Sequence, residues 1–404
     1  MTIAPETSIK KSAIPRTVWM LGFVSLFMDL SSEIIHALLP IFLVGTLGLS
    51  VVMVGIIDGV AEATASITKV FSGYISDRLG RRKPLILFGY GLGALTKPLF
   101  AISTSAGVVF GARFADRIGK GIRGAPRDAL VADVTPPEIR GKAFGLRQSL
   151  DTVGAFVGPL LAIGLMMLFA NNIRTVFWFA VIPAAIAMLF IVFGVRDAEP
   201  SHVADAKPPI RLIDLKRLQR PFWTVTLIGV VFTLARFSEA FLILKATAEG
   251  LPLTYAPLVL VVLNLVYALG AYPAGVLSDR RPAHHILSAG MICLILADLA
   301  IAYLPGIGGV FLGIALWGGH MALTQGLWAK LVADTSQPEL RGSAYGIFNL
   351  ATGITLLLAS VIAGLVWDKI GPATTFIFGA GFALLGLALV ATIFTPKASK
   401  QISV

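Results

Sequence analysis

Gly73-Tyr-Ile-Ser-Asp77-Arg78-Leu-Gly80-Arg81-Arg82-Lys83 lies between two long apolar segments and concentrates glycine and charge in a few positions. A shorter copy, Gly275-Val-Leu-Ser-Asp279-Arg280-Arg281, begins 202 residues later, almost half the chain length. Gly73 and Gly80 permit close backbone approach and a tight turn. Asp77 stands where a carboxylate can meet an arginine or a helix N-terminus. A charged turn repeated at half the length of an apolar chain points to two similar helical bundles that move against each other.

The composition agrees. Of 404 residues 56% are hydrophobic and 14% charged, with a mean hydropathy of +0.84, against about 25% charged in an average soluble domain. The class is an all-α membrane protein. The net charge of +11 is not a nucleic-acid footprint, because no basic stripe interleaved with aromatics lies on a polar segment. The basic residues fall mainly in short loops, the positive-inside pattern. Cys293, the single cysteine, leaves no disulfide and no cysteine-rich metal site. No phosphate-binding GxxxxGK[ST] occurs and no nucleophile–base or metal-ligand constellation stands out. Neither an enzyme nor a cofactor is expected.

Twelve segments are apolar enough to span, each needing roughly 20 residues: 17–45, 51–76, 84–104, 106–134, 141–170, 174–195, 221–249, 253–278, 283–304, 307–334, 342–368 and 372–395. The first is read as a retained helix and not a signal peptide, since no small-residue cleavage site follows it. Lysine and arginine collect on alternate connections, including Lys10 to Arg16, Arg78 to Lys83, Arg140, Arg280 and Lys397. Both termini are therefore expected on the cytoplasmic side of the plasma (inner) membrane. The one long polar connection, 196–220, divides the chain into halves 1–195 and 221–404. Its basic residues suit a tether lying on anionic headgroups.

The halves repeat elsewhere. Ala132-Asp-Val-Thr-Pro-Pro-Glu138-Ile-Arg140-Gly corresponds to Ala333-Asp-Thr-Ser-Gln-Pro-Glu339-Leu-Arg341-Gly, offset by 201 residues, and Ser32-Glu33 has a counterpart in Ser238-Glu239. Parallel six-helix repeats place a substrate site near the midplane between them.

These residues resemble the major facilitator superfamily over nearly the whole chain. Its loop signature Gly-x-x-x-Asp-Arg-x-Gly-Arg-Arg-Lys is matched from Gly73 to Lys83. Its fourth-span pattern is matched by Arg117, Gly121, Gly124 and Ala125, with Lys120 where glutamine is common and Arg123 where a small residue is common. The fifth-span pattern Gly-x-x-x-Gly-Pro, associated with drug/proton antiporters, is matched by Gly154, Gly158 and Pro159, although Ala162-Ile163 replaces its trailing glycine pair. The resemblance implies the twelve-helix fold in two pseudo-symmetric halves. It also implies a cytoplasmic gate at Gly73, Asp77, Arg78, Gly80, Arg81 and Arg82, weakly echoed by Asp279 and Arg280. Plain helix packing is the rival reading of the fifth-span glycines.

Ionisable groups inside spans are costly and face a cavity or a partner. Asp29, Glu33 and His36 share one face of the first span, and Asp58 and Glu62 are one turn apart on the second. At 100° per residue, Arg113, Asp116, Arg117, Lys120, Arg123, Arg127 and Asp128 occupy about 140° of the fourth span. Arg147 and Asp151 follow on the fifth, and Arg236 and Glu239 on the seventh. Structural ion pairs are the expectation for Asp116, Arg123, Arg127, Asp128 and Arg147. Glu33 leads the proton-coupling candidates, with Asp29, Asp58 and Glu62 behind it. His36, Arg113, Arg117, Lys120, Arg236 and Glu239 are candidates for substrate or coupling contacts. Trp178, Phe237, Phe241, Tyr267, Trp317, Trp328 and Phe348 are packing residues first and cavity wall second.

The resulting expectation is a monomeric secondary transporter of a small molecule, using alternating access and proton-coupled efflux, with proton, substrate and lipid bilayer as partners. Three alternatives stand: a proton symporter importing an organic anion, an amphipathic-lipid transporter, and a non-transporting membrane receptor or scaffold.

Overall fold

A computed structural model of the protein describes residues 13–197, 217–337 and 340–394, with only the backbone described at Asp279, Ile393 and Phe394. The two termini, most of the 196–220 connection and Glu339 of the second repeat lie outside the described residues, as does the side chain of Asp279. Among the described residues the structure is helical, with no strand. The helices are α1 (Arg16–Ile41), α2 (Val51–Leu79), α3 (Lys83–Ile102), α4 (Ala106–Asp133), α5 (Arg140–Leu168), α6 (Ile173–Phe179) and α7 (Val181–Leu189). After the connection come α8 (Arg220–Leu234), α9 (Ala240–Ala248), α10 (Leu258–Arg280), α11 (Ala283–Tyr303), α12 (Gly306–Asp334), α13 (Arg341–Lys369) and α14 (Pro372–Phe394).

Each apolar segment read from the sequence falls on a helix or a broken pair. Among the described residues ten are long and apolar enough to cross a membrane, which makes this a multi-pass membrane protein. The other two are α4, too rich in charge, and the segment holding α8 and α9, which is interrupted.

The interruptions have local causes. Between α6 and α7 the helix breaks at Ala180. Pro183 has no N–H to offer the Phe179 carbonyl four residues back, and the neighbouring Ala180 carbonyl accepts the Ser31 hydroxyl at 2.6 Å. Between α8 and α9 the backbone unwinds over residues 235–239. There the Ser238 N–H donates to Ser360 Oγ at 3.2 Å, and the Ser238 hydroxyl donates to Asp58 Oδ2 at 2.8 Å. The continuous helix expected over 221–249 is thus corrected. Arg236 and Glu239 sit in the break, not on a helix face. Irregular backbone at this depth is tolerated where it lines a cavity.

Glycine sets the spacing of the helices. A Cβ on Gly158 of α5 would stand 2.7 Å from the Glu33 Cβ of α1, and one on Gly121 of α4 would stand 2.8 Å from the Ala65 carbonyl oxygen of α2. Gly154 meets the Leu26 carbonyl still more closely. Pro159 is buried beside them. The fifth-span glycines therefore do what helix packing requires.

Hydrogen bonds joining residues 13–197 to residues 217–394 gather towards one end. Asp368, at the end of α13, accepts from the Val51 and Val52 N–H groups at 3.2 and 3.0 Å. Asn171 accepts from Thr254 at 2.7 Å, and Ser238 reaches Asp58. This end is opposite the Gly73–Lys83 turn.

At that turn Gly80 ends α2 with φ +65°, a left-handed cap. Arg82 donates to Asp77, to Ser76 Oγ at 2.8 Å and to Asp133 Oδ2 at 3.2 Å. Burial works against its charge, but the hydrogen bonds and charges of Asp77 and Asp133 outweigh it and raise its pKa. The Arg82 and Lys83 N–H groups point at Asp197, and Lys83 Nζ donates to the Val195 carbonyl at 2.7 Å. Arg78 reaches only Tyr74, at 3.5 Å, and Arg81 is exposed. All described hydrogen-bond and ion-pair partners of the turn lie within residues 74–197, so these bonds brace α2, α3 and α4. Arg280 of the second copy is exposed.

Candidate functional site

A cavity of about 450 Å³ lies between α1, α2, α4 and α5 on one side and α8, α10, α12 and α13 on the other. Nine of the ten deep candidates line it: Glu33, His36, Asp58, Glu62, Arg113, Arg117, Lys120, Arg236 and Glu239. Asp29 does not. It lies on the side towards α5, beside Asp151.

The first wall is a chain of ion pairs. Arg113 meets Asp58 at 3.2 Å and Glu62 at 4.0 Å, and Arg117 meets Glu62 at 3.1 Å and Asp116 at 3.2 Å. Behind Asp116 stands Lys97 of α3, 1% exposed, which holds Asp116 Oδ1 and Ser32 Oγ at 3.0 Å each. Buried charges persist only when paired and hydrogen-bonded, and each link here answers its neighbour. Glu33 is separate, with His36 at 3.4 Å. Among the described residues Lys120 has no carboxylate within 4 Å.

A second network lies nearer the Gly73–Lys83 end. Arg127 meets Asp128 at 3.1 Å and Asp151 at 3.8 Å, while Arg147 meets Asp151 at 3.5 Å and Asp128 at 3.9 Å. Arg123 is the exception among the expected ion pairs. Its guanidinium lies 4.2 Å from the Tyr90 ring centre, and its Nη1 is buried with no hydrogen bond.

The second wall is aromatic. Phe232, Phe237, Trp317, Trp328 and Phe348 line it with Arg236 and Glu239. Of the other aromatic candidates, Phe241 is fully buried in packing and Trp178 is 48% exposed at the surface. Tyr267 lines a separate cavity. Arg236 Nε is buried without a hydrogen bond, and among the described residues neither Arg236 nor Glu239 has an ion-pair partner within 4 Å.

Two buried groups escaped the sequence reading, Lys97 and Asp298. Asp298 of α11 is fully buried, accepts from Trp317 Nε1 at 3.0 Å and leaves Oδ2 without a partner. His320, one turn along α12 from Trp317, has neither ring nitrogen hydrogen-bonded and stands edge-on to Trp317 at 5.2 Å between ring centres. Lys97 and Asp298 are each a single charge inside an otherwise apolar stretch, and that isolation was the available signal. Among the described residues no cluster of three or more metal-ligating side chains occurs.

A helical membrane bundle around a polar central cavity is the arrangement of a membrane transporter or receptor, and similarity to known proteins decides between them. The Major Facilitator Superfamily profile matches residues 21–354 and 250–403. An uncharacterized MFS-type transporter of Methanocaldococcus jannaschii, MJ1317, is 32% identical over 386 residues, covering 93% of this chain and 95% of that protein. The chain belongs to the Major Facilitator Superfamily and is a membrane transporter, not an enzyme. The multidrug resistance protein MdtH of Photorhabdus laumondii is 24% identical over 356 residues, 87% of this chain and 86% of that one. In fold, a crystal structure of a POT family transporter with a thioalcohol-conjugated peptide superposes with a TM-score of 0.81 at 14% identity, covering 96% of this chain and 97% of that one.

Proposed function

We propose that the chain is a monomeric secondary transporter of twelve spans, arranged as two six-helix halves, 1–195 and 221–404, joined by the cytoplasmic connection 196–220. It exports a small molecule across the plasma (inner) membrane in exchange for protons, with both termini cytoplasmic. The observation that carries this reading is the convergence of nine ionisable residues, from both parts of the chain, on one cavity. Hydrogen bonds that gather towards the Val51–Asp368 end support an inward-facing state in alternating access. The Gly73–Lys83 turn and Arg280 are then gate elements that meet other partners when that side closes. Export is favoured by the relatives named for multidrug resistance.

Of the carboxylates, Asp58 and Glu62 are held by arginines, so releasing them means stripping a buried cation. Among the described residues Glu33 pairs only with His36, at 3.4 Å, and no arginine or lysine holds it within 4 Å, so it is the proton carrier of choice. Asp29, beside Asp151, is the second. Arg113 and Arg117 keep the first wall in register, and Lys120, Arg236, Glu239 and His36 face the substrate.

The test is flux into proteoliposomes under an imposed pH gradient, across cationic, anionic and neutral compounds, repeated with Glu33→Gln and Arg117→Ala. Glu33→Gln is expected to abolish the dependence on the gradient, and Arg117→Ala to slow flux at least tenfold. Wild-type behaviour of both variants sinks the assignment.

A further inference from the structure

We infer that the substrate is an amphiphile with an anionic head and a hydrocarbon tail. Its head is held in the central cavity by Lys120 and Arg236, and its tail in a second cavity at the seam of α5 and α10. The inference rests on the transport reading above and adds the substrate class.

The second cavity, of about 350 Å³, is walled by Val153 and Phe156 of α5 and by Leu265, Tyr267 and Ala268 of α10, with Gln148, Asp151 and Thr152 as its polar part. Ala155 and Asn264 line both cavities. The two spaces therefore adjoin, the first with one charged and one aromatic wall and the second lined mainly by hydrocarbon. Val153 and Leu265 are 48% and 43% exposed, so the seam borders the surface that the bilayer covers. A molecule that fills both spaces must be ionic at one end and apolar at the other.

The charge of the head follows from the pairing. Arg113 and Arg117 are answered by Asp58 and Glu62, and Glu33 by His36. What stands on the cavity wall without an ion-pair partner among the described residues is Lys120, Arg236 and Glu239, and the two cations are the groups that an anionic head would answer. Arg236 Nε, buried and without a hydrogen bond, lacks an acceptor that a carboxylate or phosphate head would supply.

The experiment is equilibrium binding to the full chain in nanodiscs, corrected against empty nanodiscs. The probe is 11-(dansylamino)undecanoate, displaced by n-alkyl carboxylates of four to fourteen carbons and by dodecyltrimethylammonium. Affinity should rise about fourfold per methylene until the seam is full, and the twelve-carbon carboxylate should bind at least tenfold tighter than dodecyltrimethylammonium. Ala268→Trp should flatten the chain-length series while leaving the shortest carboxylates unchanged. Arg236→Gln should weaken every carboxylate about tenfold and keep the slope. A wild-type series independent of chain length, equal binding of the cation, or an unaltered slope in Ala268→Trp overturns the inference. Because binding is read without flux, intact binding with no flux would remove the transport reading alone. Flux of short, hydrophilic solutes with no chain-length effect would remove this inference alone.

Discussion

The Ser238 hydroxyl donates to Asp58 Oδ2 at 2.8 Å, tying the unwound stretch between α8 and α9 to the ion-pair chain of α2 and α4. Asp58 also holds Arg113 at 3.2 Å, so one carboxylate couples the two walls of the cavity. A hydrogen bond to a charged group contributes about 1.5–3 kcal/mol. Ser238→Ala should therefore shift the balance away from the state described here by roughly ten- to a hundredfold. Spin-label distances between α2 and α13, near Val52 and Asp368, should lengthen in the variant; an unchanged distribution argues against the coupling.

Lys97 and Asp116 form a buried pair whose members should be worth less together than the cost of losing either. Removing one partner of such a pair costs about 3–5 kcal/mol, whereas removing both can be nearly neutral. Lys97→Met and Asp116→Asn should each lower the melting temperature in detergent markedly, and the double variant should recover part of the loss. Additive losses would show that the two residues do not act as a pair.

Gly158 leaves a gap in which the Glu33 Cβ sits. Gly158→Ala forces α1 and α5 apart, at about 1–3 kcal/mol for overpacking. Thermal stability should fall, and flux should fall further than stability because Glu33 is displaced. Gly164, which faces open space on the same helix, supplies the control: Gly164→Ala should leave both unchanged.

Asp298→Asn preserves the shape and the acceptor for Trp317 Nε1, so the protein should fold with a near-native melting temperature. Asp298→Leu leaves the indole N–H unpaired and should cost about 1–3 kcal/mol. If flux also disappears in the asparagine variant at unchanged stability, the carboxyl exchanges a proton during transport; unchanged flux assigns it to packing.

Much of the fold was legible because apolar length and loop charge report directly on spans. The family was legible from the run Gly73–Lys83. The cavity was legible in outline, since charges inside spans must face something, and nine of them do face it. Which charges answer one another was not. Helical spacing puts Asp29, Glu33 and His36 on one face, yet α5 draws Asp29 aside while the other two reach the cavity. The break at 235–239 was equally hidden, because it depends on Ser360 and Asp58 arriving from distant parts of the chain. Lys97 is the lone charge on its span, and its partner Asp116 belongs to α4, which spacing within α3 does not reveal.

The carboxylate of Asp368 resting on the first N–H groups of α2 has a consequence for ionic strength. It is a charge set against a helix dipole near the surface, and the Val52 contact is exposed. Salt screens such an attraction over about 8 Å at 0.15 M. The ion-pair chain of Lys97, Asp116 and Arg117 is buried and escapes that screening. Rising salt should therefore loosen the Val51–Asp368 end and leave the cavity wall intact, making the contact between the two parts of the chain responsive to ionic strength at that end.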